Sequence, residues 1–228
     1  MRIGNFEIHR WRGVPSDFDA RVAATFKAVK PYTMTSPERV WGLCHATEYI
    51  VKNRIKGDVV ECGVWRGGSM MAAARTLLEL GDTSRHLYLF DTFQGMTDVS
   101  AEDGERAARW MRRRERKKFV VGLEEVRHNL NLTGYPADRI HLIPGPVENT
   151  LPDSAPPHIC LLRLDTDWYE STVHELVHLF PRLQQSGVLI VDDYGYWEGA
   201  RKATNEYFAD KSILLHRMDY TGRIAVKC

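Results

Sequence analysis

The sequence has no excess of charge of one sign. Its 228 residues carry 31 Lys and Arg against 30 Asp and Glu, a net charge of +1 with histidine neutral. No global field therefore recruits nucleic acid or an anionic membrane surface, and a charged partner must be met locally. No stretch approaches the ~18 uninterrupted apolar residues of a membrane span, and the opening MRIGNFEIHR lacks the apolar core of a secretory leader. A cytoplasmic location is the expectation. Cysteine is sparse. Cys44, Cys62, Cys160 and Cys228 show no C-x-x-C spacing, and Cys62 and Cys160 fall inside apolar strand patterns, which argues against a zinc or disulfide framework and predicts reduced thiols. There is no internal repeat and no low-complexity linker.

What is present is an α/β rhythm. Residues 1–36 read as an N-terminal arm, irregular and amphipathic over 1–30 with Trp11, Phe18 and Phe26 among charges, packed on the domain or on a neighbouring subunit. The domain proper spans 37–228. A helix over 37–54 starts after Ser36, a good N-cap, with Pro37 at the first helical position. Strand patterns follow at 58–63, 86–91, 140–143, 159–165 and 187–192, and helical ones at 68–80, 122–132, 170–185 and 199–209. Near-continuous apolar strands alternating with helices predict a doubly wound, mostly parallel sheet covered on both faces. The tail differs: 213–218 and 222–227 flank a short turn and predict an antiparallel pair closing one edge.

The chemistry gathers at strand ends. DVVECGVWRGGS (58–69) is an apolar strand that ends in an acid and turns through three glycines into a helix. A carboxylate there can hold a ligand's ammonium or hydroxyls, while the glycines allow close backbone approach beside a helix N-terminus. The spacing is not G-x-G-x-x-G and no G-K-[ST] follows, which weakens dinucleotide and ATP readings. Glu61, Asp91, Asp165 with Asp167, and Asp192 with Asp193 end four strands. In open parallel sheets this is where ligands sit. Asp91 is placed to accept ribose hydroxyls. Converging carboxylates repel unless a cation joins them, and Asp165, Asp192 and Asp193 supply hard oxygen ligands suited to Mg²⁺.

Three other patterns compete. HELVH (174–178) matches H-E-x-x-H formally, but its core stripe and the lack of a downstream third ligand favour flanking histidines over zinc. Asp165-Thr166-Asp167 also matches the D-x-D of metal-dependent glycosyltransferases. That reading leaves Glu61, Gly63, Asp91 and the second acidic pair without a task, and a non-catalytic binding module leaves the acidic cluster without one. RAARWMRRRERKK (106–118), within an insertion at about 98–121, reads as a solvated helix or lid whose Trp110 and Met111 pack inward. Of the aromatic residues near the acids, Tyr194 is the one expected to meet a sugar.

Taken together, YTM (32–34), ECGVWRGG (61–68), DTFQG (91–95), LEEV (123–126), LDTDWYEST (164–172) and VDDY (191–194) resemble the macrocin/mycinamicin-type sugar O-methyltransferases over roughly residues 30–210. The resemblance implies a class I S-adenosylmethionine (SAM) fold, Mg²⁺, a homodimer and methyl transfer to a sugar hydroxyl. By that analogy Thr33, Met34, Glu61, Gly63, Ser69, Asp91 and Gln94 line the SAM site. Asp165, Asp192 and Asp193 hold the metal, and Asp165 or Asp167 takes the proton, with Asp167 preferred if metal engages Asp165. The chain departs from the pattern at PGPVENTLP (144–152), where relatives carry an aromatic pair and this chain has Pro146 and Val147.

Overall fold

The computed structural model describes residues 14–113 and 119–228. Trp11 and the 114–118 part of the basic stretch lie outside them. Seven strands form one sheet: β1 Asp58–Cys62, β2 Leu87–Asp91, β3 Ile140–Pro144, β4 Ile159–Leu164, β5 Leu183–Val191, β6 His216–Arg217 and β7 Arg223–Val226, in the order β3-β2-β1-β4-β5-β7-β6. The first five are mutually parallel. β7 runs antiparallel to both β5 and β6, so the expected edge pair is present.

Alternation along the strands sorts the core into two layers. Val59, Leu161 and Val188 face one side, with α1 (Ala20–Val29), α2 (Pro37–Lys52), α3 (Gly68–Glu79) and α5 (Leu123–Asn131). Val60, Leu162 and Leu189 face the other, with Leu176 and Leu179 of α7 (Tyr169–Leu179) and Phe208 after α8 (Glu198–Tyr207). α4 (Gly104–Met111) and the single turn α6 (Val147–Thr150) complete the α-helices among the described residues.

Two expectations change. Residues 20–29 are a helix, not an irregular arm: Asp19 Oδ1 accepts from the Val22 amide at 2.8 Å, capping α1, and Val22, Phe26 and Val29 bury one stripe against the core. The helix expected to reach residue 185 stops at Leu179, because Pro181 lacks an amide and its ring clashes with the preceding turn. β5 accordingly begins at Leu183, earlier than the apolar run predicts, where it pairs with Ile159.

Candidate active site

A cavity of about 350 Å³ opens outside the carboxyl ends of the strands. Its floor is the glycine turn. Gly63 has φ +80°, and a Cβ on it would lie 2.1 Å from the Asp165 carbonyl oxygen, so β1 and β4 leave the sheet in backbone contact that only glycine permits. Asp91, ending β2, is locked by three backbone donors: Val64 and Trp65 amides donate to Oδ2 at 2.7 and 3.1 Å, and the Phe93 amide donates to Oδ1 at 2.8 Å. A carboxylate offers about four acceptor positions, two on each oxygen, so the two amides fill Oδ2 and the remaining capacity lies on Oδ1. Thr33, Met34, Gly63, Ser69 and Asp91 all line it; Gly145, Pro146 and Val147 form the wall where the chain departs from the aromatic-pair pattern.

The opposite end is acidic. Asp165, Asp167 and Asp193 each bring a carboxylate oxygen within 4.8 Å of the others. Burial and the like charges of Asp192 and Asp193 push Asp165 well above the usual carboxylate range. Burial and the charges of Asp167 and Asp192 do the same to Asp193, and Asp167 is pushed up to about 8, chiefly by burial. Asp167 also holds φ +72°, a left-handed backbone that costs energy in a non-glycine residue.

Asp192, the expected third metal ligand, has a different environment from its neighbours. Arg39 Nη1 donates to its Oδ2, and Arg163 Nη2 lies 2.7 Å from its Oδ1, an oxygen that is buried and accepts no hydrogen bond. Although burial works against ionisation, the two arginines outweigh it and hold Asp192 below the ordinary range. Arg39 is fixed in turn by Asp219, whose Oδ2 lies 3.1 Å from Nε and accepts from Ser36 Oγ at 2.8 Å.

Two expected SAM-site residues do not reach the cavity wall. Glu61 is 1% exposed behind Arg163, whose Nη1 donates to Oε1 at 2.6 Å. Gln94 sits exposed on the turn after β2. Tyr194 also departs from its expected place: its hydroxyl donates to Asn205 Oδ1 at 2.7 Å while Arg223 covers its ring at 4.6 Å. The aromatic wall is built instead from Trp110, Phe119, Tyr196 and Trp197, with Trp110 edge-on to Phe119 and to Trp197 at centroid distances of 5.1 and 6.0 Å. Trp110 comes from the insertion. Its helix α4 is moored by buried Asp103, which accepts from the Tyr169 amide at 2.7 Å and the Ser100 amide at 2.8 Å, and by Arg106, whose guanidinium lies 3.9 Å from the Tyr196 ring centre.

The H-E-x-x-H pattern is taken apart by the fold. The His174 and His178 rings lie 4.3 Å apart, while Glu175 between them points into the core with 0% exposure. Both Glu175 oxygens are without hydrogen-bond partners there, and burial pushes this carboxyl well above its ordinary range.

Comparison with known proteins agrees with this architecture. The family model described as Macrocin-O-methyltransferase (TylF) matches residues 4–225. The chain is 36% identical over 192 residues to the 8-demethyl-8-(2,3-dimethoxy-alpha-L-rhamnosyl)-tetracenomycin-C 4'-O-methyltransferase of Streptomyces olivaceus, covering 84% of this chain and 73% of that protein. It is 31% identical to the mycinamicin III 3''-O-methyltransferase of Micromonospora griseorubida over 77% and 70% of the two chains. Among solved structures, the O-methyltransferase NovP superposes with a TM-score of 0.79 at 32% identity, covering 86% of this chain and 82% of its own.

Proposed function

The chain belongs to the macrocin O-methyltransferase (TylF) family of SAM-dependent O-methyltransferases, and on that premise we propose that it transfers the SAM methyl group to a hydroxyl of a sugar-containing acceptor with the help of Mg²⁺. The observation that carries this reading is the acidic cluster at the far end of a cavity whose near end is the glycine turn and the locked Asp91. The glycosyltransferase and binding-module readings have no comparable support, since the family is one of O-methyltransferases. The relatives' names, a rhamnosyl tetracenomycin and a mycinamicin among them, favour a glycosylated natural product as acceptor.

The residues present suit both the cosubstrate and a divalent ion. Asp91 would take the cosubstrate's ribose at Oδ1, the oxygen with acceptor capacity to spare, with Thr33, Met34, Gly63 and Ser69 around the rest. Asp165, Asp192 and Asp193 would hold the divalent ion. Asp192 stands outside the trio of oxygens that Asp165, Asp167 and Asp193 bring within 4.8 Å of one another; it would join as the acid that Arg39 and Arg163 keep ionised. Asp167 is held close to these acids and is raised toward neutrality, which suits a general base more than a ligand. When bound, the ion supplies Lewis-acid lowering of a hydroxyl pKa. Asp167 then accepts the proton, and Trp110, Phe119, Tyr196 and Trp197 cover the acceptor and exclude water. A homodimer, tested by light scattering, completes the proposal.

Calorimetry of the protein with S-adenosylhomocysteine (SAH), with and without Mg²⁺ and in Asp91→Ala, tests the reading. Saturable binding that collapses in the variant is expected; no binding under either condition overturns it.

A further inference from the structure

Beyond helping to keep Asp192 ionised, Arg163 is the best-connected side chain of the site. It occupies the middle of ICLLRLD, where a parallel strand covered on both faces calls for an apolar residue, and its side chain is 2% exposed. Its guanidinium meets three other segments and the end of its own strand. Nη1 donates both to Glu61 Oε1 on β1 at 2.6 Å and to Asp165 Oδ2 at 2.9 Å. Nη2 donates to Thr35 Oγ1 at 3.3 Å and stands 2.7 Å from Asp192 Oδ1. The first and third of these partners, Glu61 and Thr35, adjoin the cosubstrate end: Thr35 follows the cavity residues Thr33 and Met34, and Glu61 ends the strand that enters the glycine turn. Asp165 and Asp192 belong to the acidic end.

We propose that Arg163 is a positioning residue that couples the two ends of the cavity. This inference rests on the reading of the acidic end as a divalent-cation site. In the protein without an ion, the guanidinium is the counter-charge for Asp165 and Asp192. An ion on those carboxylates competes for the same oxygens and repels the guanidinium, which turns toward its remaining partners, Glu61 and the 33–35 segment. There its freed N–H donors face the end of the cavity that receives the cosubstrate, whose amino-acid moiety carries a carboxylate that an arginine fork recognises well. Glu61 has the matching capacity, since its Oε2 is buried with no hydrogen-bond partner. Metal and cosubstrate then strengthen each other's binding, and linkage requires the factor to be the same in both directions.

The test is calorimetric and needs no turnover. SAH is titrated into the full chain in EDTA and in saturating Mg²⁺, and Mg²⁺ is titrated with and without SAH, for wild type, Arg163→Lys and Thr35→Val. In wild type the SAH Kd should fall about tenfold on adding Mg²⁺, within the span of ordinary coupling factors. In Arg163→Lys, which keeps a cation but loses the fork, that ratio should shrink to within about twofold while SAH still binds. Thr35→Val removes only the neutral cosubstrate-side contact and should reduce the ratio in a protein of wild-type thermal stability, so the inference stays testable if Arg163→Lys does not fold. A ratio of one in wild type, or an unchanged ratio in both variants, overturns the coupling. Mg²⁺ heats that are absent while SAH binds normally overturn the cation reading and the coupling with it, leaving the SAM site standing.

Discussion

At the residue scale the molecule concentrates buried ionisable groups and treats them unequally. Glu175 is the sharpest case outside the reaction itself. It lies in the core with neither oxygen hydrogen-bonded, and desolvation favours its neutral form. A carboxyl whose folded pKa is raised above its unfolded value contributes stability below the unfolded pKa, and that contribution is lost as pH rises toward the folded value. Glu175→Gln, neutral at every pH, should match wild type near pH 5 and exceed it increasingly from pH 6 to 9, which thermal melts across that range check. Asp167 is a second case: Asn tolerates its left-handed backbone, so Asp167→Asn should keep SAH affinity and lose about 10²–10⁴-fold in turnover if it serves as the base. The strand-terminal acids were legible in the sequence because each closes an apolar run. Arg39 and Arg163 were not, because a lone arginine inside a helix or an apolar strand carries no local pattern; only tertiary placement puts both against Asp192. Glu61 and Gln94 were misplaced as wall residues for the same reason, since nothing in ECGVWRGG or DTFQG announces that Arg163 stands in front of the first or that the second turns outward.

At the scale of elements, the glycine turn and the segments crossing it set how close the ligand-bearing loops can come. Gly68, at the start of α3, would carry a Cβ 2.5 Å from the Tyr32 carbonyl oxygen, so the 32–35 segment is seated directly on the helix. Gly68→Ala should displace that segment. Weaker SAH binding by about tenfold or more is expected with a loss of about 1–3 kcal/mol in stability, the usual cost of overpacking; calorimetry and a denaturant melt read the two separately. Strand and helix periodicity made most elements legible, including the antiparallel edge. The exceptions have local causes. The polar face of α1 hides its Val22, Phe26 and Val29 stripe within a charged stretch, and α6 is a single turn, too short for a period to register. The insertion was legible as a helix with Trp110 and Met111 inward, but its anchorage through Asp103 depends on the distant Tyr169 amide.

At the scale of the whole molecule, a near-neutral chain holds a strongly unbalanced interior. Glu61, Asp165, Asp167, Asp192, Asp193 and Asp219 lie around Arg39 and Arg163, and burial, joined by the repulsion among the acids, raises the pKa values of Asp165 and Asp193. A divalent ion bound only by the folded state removes part of that repulsion and stabilises the fold by mass action, about 2.7 kcal/mol at a concentration a hundred times its Kd. For a chain of this size each kcal/mol moves the Tm by roughly 2–4 °C, so Mg²⁺ at that level should raise it by about 5–10 °C. Asp165→Asn removes one charge from the cluster, and it should melt above wild type in EDTA while gaining little from Mg²⁺. A wild-type Tm indifferent to Mg²⁺ at millimolar concentration would mean that Arg39 and Arg163 are the acids' sole permanent counter-charges. The acidic end would then serve the acceptor directly, with Asp167 as a base acting without a metal.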